Sequence, residues 1–378
     1  MFKKIDWPLL FIAMIPLAYI LKGALKFEIT LMLYLALYVV FFYNITIKKE
    51  SFFVHKIDIL FWLWAVVMLV GVIHSPNQIQ GLFKTTKFIF LAYSVVLFSR
   101  FFIRREKDSE KIIYYLLYAS VTTEYLVLLD FFLSGVETFR YQAFGTIVPI
   151  PLSMLGATTF AITLILFSFK KITGRYFLIC MLPSIGILGI AASKGPVISL
   201  IVAIVLLLPV LIEKMNIKTY FITILSIFFL VQVPFIANSI DTLINRFDRI
   251  ENDMSTSIRL NIMNAGLESF FSHPLIGEGT AAFYPDTSHN IFIEIMSENG
   301  IILLIIFLIF IILGTISYFK FLLKKNKNPF ETVIYSLLLI SLVSLMFSYT
   351  YVDHKYFFLS IGLLLVFNER TEKLNGLG

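Results

Sequence analysis

The sequence predicts an all-α polytopic membrane protein, and three observations indicate this fold class. First, 59% of the 378 residues are hydrophobic, whereas soluble domains are about 45–50% apolar. Second, only 15% of the residues are charged, against about 25% in soluble domains. Third, the apolar residues form runs close to the roughly 17–25 residues with which a helix crosses a bilayer. A chain of this composition places most of its surface against lipid.

The apolar segments predict about twelve transmembrane helices. Only the four residues 193–196 ("SKGP") separate the seventh segment from the eighth. One continuous helix over both segments would be far too long for a bilayer, so the sequence predicts a tight hairpin or a break there. The segments cover residues 7–21, 29–47, 57–74, 88–103, 112–134, 152–169, 177–192, 197–212, 219–237, 291–319, 332–351 and 356–367.

The basic residues predict the orientation of these helices. With the N-terminus in the cytoplasm, every predicted cytoplasmic loop is basic, and these segments hold most of the 31 Lys and Arg residues. This pattern follows the positive-inside rule and predicts that both termini are cytoplasmic. It also explains the net charge of +7 without nucleic-acid binding. The first segment lacks a small-residue cleavage site and is predicted to be a span. The single Cys180 excludes a disulfide framework or a thiolate metal cluster.

One predicted outer loop, residues 238–290, is much longer than the others within a single membrane domain of residues 1–378. Loops this long in compact proteins are usually functional. The stretch "STSIRLNIMNAGLESFFSHP" predicts a helix with Ser255 or Ser257 near its N-cap and Pro274 after its end. An amphipathic helix here is expected to lie at the membrane surface or to cap the bundle. Its predicted apolar face consists of Leu260, Met263, Leu267, Phe270 and Phe271.

The cations of this loop are three arginines, and the loop contains no lysine. Arginine binds phosphate or carboxylate groups in a bidentate way and keeps its charge. For Arg246 and Arg249, pairing with nearby acidic residues of the loop is the favoured role, although Arg249 is kept as a candidate substrate-binding residue. Arg259 lies near the start of the predicted helix, whose N-terminus itself favours anions. We therefore take Arg259 as a functional candidate.

A histidine marks the point where the chain re-enters the membrane. His289 and Asn290 directly precede the tenth apolar segment. Imidazole accepts a proton near neutral pH, so His289 is a candidate general base, with a structural or exposed histidine as the alternative. Asn290 could orient the histidine or hydrogen-bond a sugar. Glu294 and Glu298 follow, and acids at the end of a span can also simply lie in the membrane interface.

Further ionisable residues are candidates elsewhere in the chain. Lys194 either binds phosphate, with Gly195 permitting close backbone approach, or extends its charged end to the interface. Arg140 in "ETFRYQAFG" is similar. Glu124 and Asp130 lie inside the fifth span, where ionisable groups are costly and often functional, with partial solvation as the alternative. No P-loop, dinucleotide fingerprint or Asp-x-Asp metal motif is present, which argues against ATP-driven or metal-dependent chemistry.

Residues 255–300 resemble the signature of the O-antigen ligase/polymerase superfamily of bacterial membrane glycosyltransferases. The matching runs are "STSIRLNIMNAGLESFFSHPLIGEGTAAF" and "SHNIFIEIMSENGI". The family typically has Ser-x-x-x-Arg, an amphipathic helix, His-Pro-Leu-x-Gly-x-Gly, His-Asn and then Glu-x-Gly. "AASKGPVIS" resembles a second element, with Lys194 in place of the usual arginine. "FRYQAFGTIVPIPLSMLG" is similar to a third, weaker element, but it lacks the usual Asn after its Pro.

The resemblance implies a GT-C-like fold and a transfer of glycan from undecaprenyl diphosphate to a sugar hydroxyl, without metal or other cofactor and with inversion of the anomeric centre. In this interpretation His289 takes the acceptor proton, and Arg259 stabilises the leaving diphosphate, since preorganised cations stabilise developing negative charge. His273 matches the His-Pro of the family but is expected to be a turn residue at a helix end. The residues expected to bind diphosphate or sugar are Lys194, Arg140, Asn290 and Arg249.

We expect an O-antigen or other surface polysaccharide polymerase in the bacterial inner membrane, with its active site facing the periplasm. A ligase that moves the finished glycan to the lipid A core uses the same donor and is the alternative. A flippase or transporter is less favoured because the polar residues concentrate in one loop and no internal repeat is visible. A peptidoglycan-type polymerase lacks its usual acidic signature here. Expected partners are the lipid-linked donor, the glycan acceptor, membrane lipid and, as a further candidate, a chain-length regulator protein; nucleic acid is not expected.

Overall fold

The computed structural model describes residues 5–52, 54–135, 141–215, 221, 254–285, 288–347 and 350–374. Within these ranges the chain consists of helices joined by turns, and the one isolated β-bridge links Ala143 to Ile147. Helices satisfy their backbone hydrogen bonds internally, as a chain in lipid requires. The predicted all-α polytopic membrane fold is therefore confirmed.

Two of the spanning units are composite. A 3-10 turn at Ile15–Leu17 joins the first two helices, and a π-helix at Phe88–Tyr93 joins the fifth to the sixth. The described helices are α1 (Trp7–Met14), α2 (Ala18–Leu25), α3 (Ile29–Thr46), α4 (Lys56–His74), α5 (Gln78–Lys87), α6 (Ser94–Phe102), α7 (Glu106–Ser134), α8 (Pro149–Ser168), α9 (Gly174–Ala191), α10 (Lys194–Lys214), α11 (Met254–Ser272), α12 (Ile291–Leu323), α13 (Pro329–Ser344) and α14 (Lys355–Leu374).

Eleven of the twelve predicted segments coincide with helical units. Within the described ranges, nine units are long and apolar enough to cross a membrane, and α13 and α14 provide two shorter apolar helices. The segment 219–237 lies outside the described residues, apart from residue 221, so the total of twelve stays a prediction. The predicted break between the seventh and eighth segments is confirmed. Ala192, between α9 and α10, has a φ of 41°.

The bundle has a buried centre and an apolar exterior. About 89% of the apolar window of α8 is buried, and α8 packs against α7, α9, α10 and α13. In contrast, α3 and α12 are each 28% buried. They expose apolar side chains such as Leu31, Val39 and Ile305. Large exposed apolar surfaces of this kind are where a membrane protein contacts lipid.

Several loops are joined by backbone hydrogen bonds at one end of the bundle. Ile291 N–H donates to the carbonyl of Leu345 at 3.0 Å, and Thr280 N–H donates to that of Gly71 at 3.2 Å. These bonds join the N-terminus of α12 to the C-terminus of α13, and the segment before α12 to α4. We call this part of the bundle the site end, because the predicted functional residues on α11 and α12 lie there.

Candidate functional site

A break divides α12 into two parts. Gly300 has φ 66° and ψ −163°, which is not helical. We call residues 291–299 the entry helix and residues 301–323 the stem. A side chain at position 300 would meet the backbone of Leu275, and an L-residue is strained at this positive φ. Glycine is therefore required where the two parts of α12 join.

The connector, defined as residues 273–285, fills this break with hydrogen bonds. Glu278 N–H donates to the carbonyl of Ser297 at 2.8 Å, and Gly279 N–H donates to that of Glu298 at 3.0 Å. Ile301 N–H donates to the carbonyl of Pro274 at 2.8 Å. The backbone groups released by the break are thus paired, as buried backbone groups must be. The two glycine-containing runs "HPLIGEG" and "SENG" form one structural unit.

The connector is also joined to α4 and to the turn after it. Thr280 Oγ1 donates to the carbonyl of Met68 at 2.8 Å, and Ser75 Oγ donates to the carbonyl of Thr280 at 2.9 Å. Asn299 Nδ2 donates to Thr280 Oγ1 at 2.8 Å. The entry helix is therefore fixed to α4 through the connector. The predicted turn role of His273 is confirmed, because its N–H and C=O bond to Ser269 and Gly277.

The helix α11 packs against the entry helix through small residues. A Cβ at Gly266 would lie 2.7 Å from Ile293 Cγ2, and Ser269 is also buried there. Leu260 and Phe271 of the predicted apolar face are exposed, and the expected position of this face at the membrane surface stays a prediction. Small residues lie in the contact between α11 and the entry helix because they let the two helices approach closely. The described part of α11 begins at Met254, so Ser255 and Ser257 lie close to its start, as predicted.

His289 lies in the turn that starts the entry helix. It is half-buried, and its φ of 54° is in the left-handed region. Non-glycine residues seldom adopt this conformation, and such backbone strain concentrates at functional sites. Ser288 Oγ donates to the carbonyl of Asn290 at 2.9 Å, closing the turn around the histidine. The local backbone therefore fixes where the imidazole projects.

Asn290 is the N-cap of the entry helix. Its Oδ1 accepts from the N–H groups of Phe292 at 3.0 Å and Ile293 at 3.3 Å. An N-cap side chain pairs the otherwise unsatisfied N–H groups of the first turn. Asn290 thus positions the helix that carries the preceding histidine, whereas its predicted contact with a sugar stays a prediction.

Arg259 reaches the same corner of the site end from α11. Its Nη1 donates to the carbonyl of Phe347 at 3.4 Å, just beyond α13. Because Ile291 bonds to Leu345 in the same turn, this short segment lies between the arginine and the start of the entry helix. The structure therefore brings Arg259 and His289 to one region.

Of the other predicted cations, one lies at the start of α10 and the rest lie outside the described residues. Lys194 is the first residue of α10 and is half-buried. The preceding Ser193 carbonyl accepts from Ser153 Oγ at 3.5 Å, which joins the turn between α9 and α10 to α8. Arg140, Arg246 and Arg249 lie outside the described residues.

The two acids of the fifth predicted span have structural partners. Asp130 accepts from Phe144 N–H at 2.6 Å and from the Tyr141 hydroxyl, so it organises the turn that follows Arg140. Burial and the adjacent carboxylate raise the pKa of Tyr141 to about 12. The alternative of partial solvation is wrong for Glu124, which is fully buried and accepts from Ser184 Oγ at 3.1 Å.

A buried ion-pair cluster lies beside the entry helix, and the sequence analysis missed its cation. Lys84 Nζ lies 2.5 Å from Glu294 Oε1 and 2.7 Å from Glu298 Oε2. Both acids are buried within the protein, and their position at the membrane interface stays a prediction. Lys84 belongs to a helix that begins at Gln78, ten residues before the span predicted to start at residue 88. The helical spacing of residues 78–87 was the sequence signal that could have revealed this lysine.

A second charged group lies on the next turn of α5 and at the start of α14. Lys87 Nζ lies 3.5 Å from Asp353 Oδ1, and Lys355 Nζ donates to the carbonyl of Val352 at 3.1 Å. His354 lies between Asp353 and Lys355 in the chain. Burial lowers the pKa of its imidazole to about 4, and the positive charge of Lys355 acts in the same direction. The run "YVDHK" places three ionisable residues next to one another. This run was the sequence signal for the group, and it was not among the predicted candidates.

The described residues bring together a histidine, an arginine and the start of the entry helix, and an arginine in such a place can stabilise a negatively charged group. Residues 176–308 match the family model described as O-antigen ligase. Over this part, about a third of its length, the chain is similar to the O-antigen ligase family, and we refer to residues 176–308 as the O-antigen ligase domain. The resemblance to the O-antigen ligase/polymerase superfamily is thereby confirmed. The O-antigen ligase domain runs from α9 to the stem, so it includes Lys194, Arg259 and His289 but not Lys84. No curated protein matches the chain.

Proposed function

We propose that this chain is a surface-polysaccharide polymerase that joins repeat units carried on undecaprenyl diphosphate. The observation that carries the proposal is the left-handed turn at His289, which projects a histidine at the start of the entry helix, within the O-antigen ligase domain. Family membership supports ligase or polymerase chemistry at a membrane. The finer assignments below are part of the proposal.

In the proposed reaction, the acceptor hydroxyl oxygen attacks C1 of the donor sugar. A new C1–O bond forms as the bond from C1 to the diphosphate oxygen breaks, and the diphosphate leaves with the electron pair. His289 takes the proton of the attacking hydroxyl, which makes the oxygen a better nucleophile. One displacement inverts the anomeric centre.

Cations then stabilise the leaving group. Arg259 lies in the same corner as His289 and has a planar fork that fits phosphate oxygens. Lys194, Arg140 and Arg249 are proposed to bind the remaining phosphate oxygens, and Asn290 a sugar hydroxyl. No metal is needed in this scheme, because fixed cations neutralise the developing charge.

The proposed location follows from the charge pattern of the loops. Both termini are cytoplasmic in this proposal, so the site end faces the periplasm, where residues 238–290 form the large loop. The chain then lies in the inner membrane, takes its donor from the outer leaflet, and has a chain-length regulator protein as a candidate partner. An accessibility test of single cysteines placed at positions 284 and 327 examines this orientation.

A ligase that transfers the glycan to the lipid A core is the second candidate, because the matching family model is described as O-antigen ligase. Deleting the gene and separating lipopolysaccharide by electrophoresis distinguishes the two. Loss of the polymerase leaves a single repeat unit on the core. Loss of the ligase leaves naked core while lipid-linked polymer accumulates. Unchanged polysaccharide would contradict both.

A further inference from the structure

Lys84 joins α5 to the entry helix through two carboxylates. Its ammonium donates to Glu294 Oε1 at 2.5 Å and to both oxygens of Glu298, at 2.8 and 2.7 Å. The lysine side chain is 12% exposed and the two carboxylates are almost fully buried. Buried carboxylates require a partner cation, because an isolated buried charge is very costly.

Other side chains complete the environment of this ammonium. Its Nζ lies 5.1 Å from the ring centroid of Tyr351, and Thr350 Oγ1 donates to Glu294. Other charged groups on and around α5 include Lys87, Asp353 and Lys355, which interact with one another. On α4, which also packs against α5, the buried Asp58 pairs with Arg100 at 2.6 Å. When its three members are ionised, the Lys84–Glu294–Glu298 cluster carries one excess negative charge.

The cluster lies directly below the turn that carries the histidine. Glu294 N–H donates to the carbonyl of Asn290 at 2.9 Å, which is the first hydrogen bond of the entry helix. Four residues of helix place Glu294 about 6 Å along the axis from Asn290. Charges at such separations interact substantially in a protein interior. The cluster therefore has both a mechanical and an electrostatic connection to the start of the entry helix.

We propose that Lys84 is a positioning residue for the proposed glycosyl transfer: by holding Glu294 and Glu298, it fixes the entry helix and sets the electrostatic potential at His289. This inference rests on the proposed function, in which His289 is the base. It assigns a role to α5, which lies outside the O-antigen ligase domain at residues 176–308.

The test uses two substitutions with opposite effects on charge. Lys84→Met removes the cation, and we expect a loss of about 10–100-fold in kcat, as for other residues that orient a functional group. While both carboxylates stay ionised, the added negative charge favours the imidazolium, so the acid limb of the pH–rate profile moves up by about one pH unit. Glu294→Gln keeps the Lys84–Glu298 pair, removes the excess charge and moves the acid limb down.

Rescue and a matched control separate positioning from folding. The double variant Lys84→Met/Glu294→Gln carries the same net charge as wild type, and we expect it to return the acid limb toward the wild-type position. Lys87→Met, one turn along the same helix, removes a lysine paired with the more exposed Asp353. We expect Lys87→Met to leave the acid limb unchanged.

The outcomes that overturn the proposal differ from those that overturn the proposed function. If His289→Ala is inactive but Lys84→Met and Glu294→Gln keep the wild-type acid limb, Lys84 is not a positioning residue and the proposed function stands. If His289→Ala remains active, the proposed function fails, and this inference fails with it. If Lys84→Met does not accumulate in membranes, the Glu294→Gln variant decides. A downward shift of its acid limb supports the proposal, and an unchanged acid limb overturns it.

Discussion

The two parts of α12 have opposite surroundings although they are continuous in sequence. In the entry helix, Ile291, Glu294 and Glu298 are buried against α5, α11 and the connector. In the stem, Ile312 is 56% and Leu323 is 84% exposed. A single non-helical residue, Gly300, separates the two parts. The comparison shows that the stem provides an anchor in lipid, while the entry helix is a protein-enclosed support for the proposed site.

The largest expected effect is that of removing the proposed base from the start of the entry helix. We expect His289→Ala to lower transfer by about 10²–10⁴-fold, the usual contribution of general acid–base catalysis. The protein should still accumulate in membranes. Electrophoresis of surface polysaccharide checks this, with His74→Ala, an exposed histidine at the end of α4, as the control. A normal polysaccharide ladder from His289→Ala would remove the histidine from the mechanism.

A pair of glycine substitutions tests the two parts of α12 directly. Gly300→Ala introduces a side chain at a positive φ against the Leu275 backbone, so we expect at least about 1–3 kcal/mol of destabilisation. In the stem, a Cβ at Gly314 meets only Leu338, at 4.0 Å. Gly314→Ala should therefore stabilise the helix by about 0.5–1 kcal/mol. Thermal unfolding in detergent measures the stability of both variants. Equal shifts of the unfolding temperature for Gly300→Ala and Gly314→Ala would show that the break is not a distinct structural element.

A smaller effect is expected where charge is kept but geometry changes. Arg259→Lys loses the bidentate fork, and we expect activity to fall about 10–100-fold, since a hydrogen bond to a charged group contributes roughly 1.5–3 kcal/mol. Initial rates of glycan transfer measure the loss. Arg104→Lys is the control, because Arg104 pairs with Glu50 at 2.6 Å in the loop between α6 and α7. Full activity of Arg259→Lys would show that charge alone suffices.

The smallest effect is a dependence of stability on pH from His354, beside the entry helix. The pKa of this buried imidazole is lowered to about 4, from an ordinary value of about 6.5. The unfolded chain therefore binds the proton more readily between these values, so stability is fully present above about pH 6.5 and falls as the pH decreases toward 4, by up to about 3 kcal/mol. Thermal unfolding from pH 7.5 to 5 should show this decline in wild type. His354→Phe should flatten it, whereas His273→Gln, at an exposed position, should not.

The sequence predicted those features that depend on local pattern. Long apolar runs predicted eleven helices at the observed places, the four-residue gap predicted the break between α9 and α10, and His-Pro predicted a turn. The motif around His289 pointed to the family because its residues are close in sequence. Each of these signals is contained in a continuous stretch no longer than residues 255–300.

The features that were missed depend on contacts between distant residues. Lys84 is separated from Glu294 by 210 positions, so its pairing is not visible in a hydropathy pattern. The side of α11 that faces the entry helix, with Gly266 and Ser269, was not predicted, because small residues leave no hydropathy signal. The burial of Glu124 depends on α9, which supplies Ser184. The hydropathy pattern and the sequence motif thus located the proposed site. The residues that hold the entry helix in place depend on tertiary packing and were not predicted.

The most direct test of the account uses the purified chain in lipid vesicles with a polyprenyl-diphosphate-linked repeat unit, in the presence of EDTA. Release of polyprenyl diphosphate and formation of the new glycosidic bond are measured together. We expect wild type to release one diphosphate for each bond, with inverted anomeric configuration, and His289→Ala to release almost none. Turnover by a folded His289→Ala protein at the wild-type rate would contradict the central claim that the entry helix carries the base of this reaction.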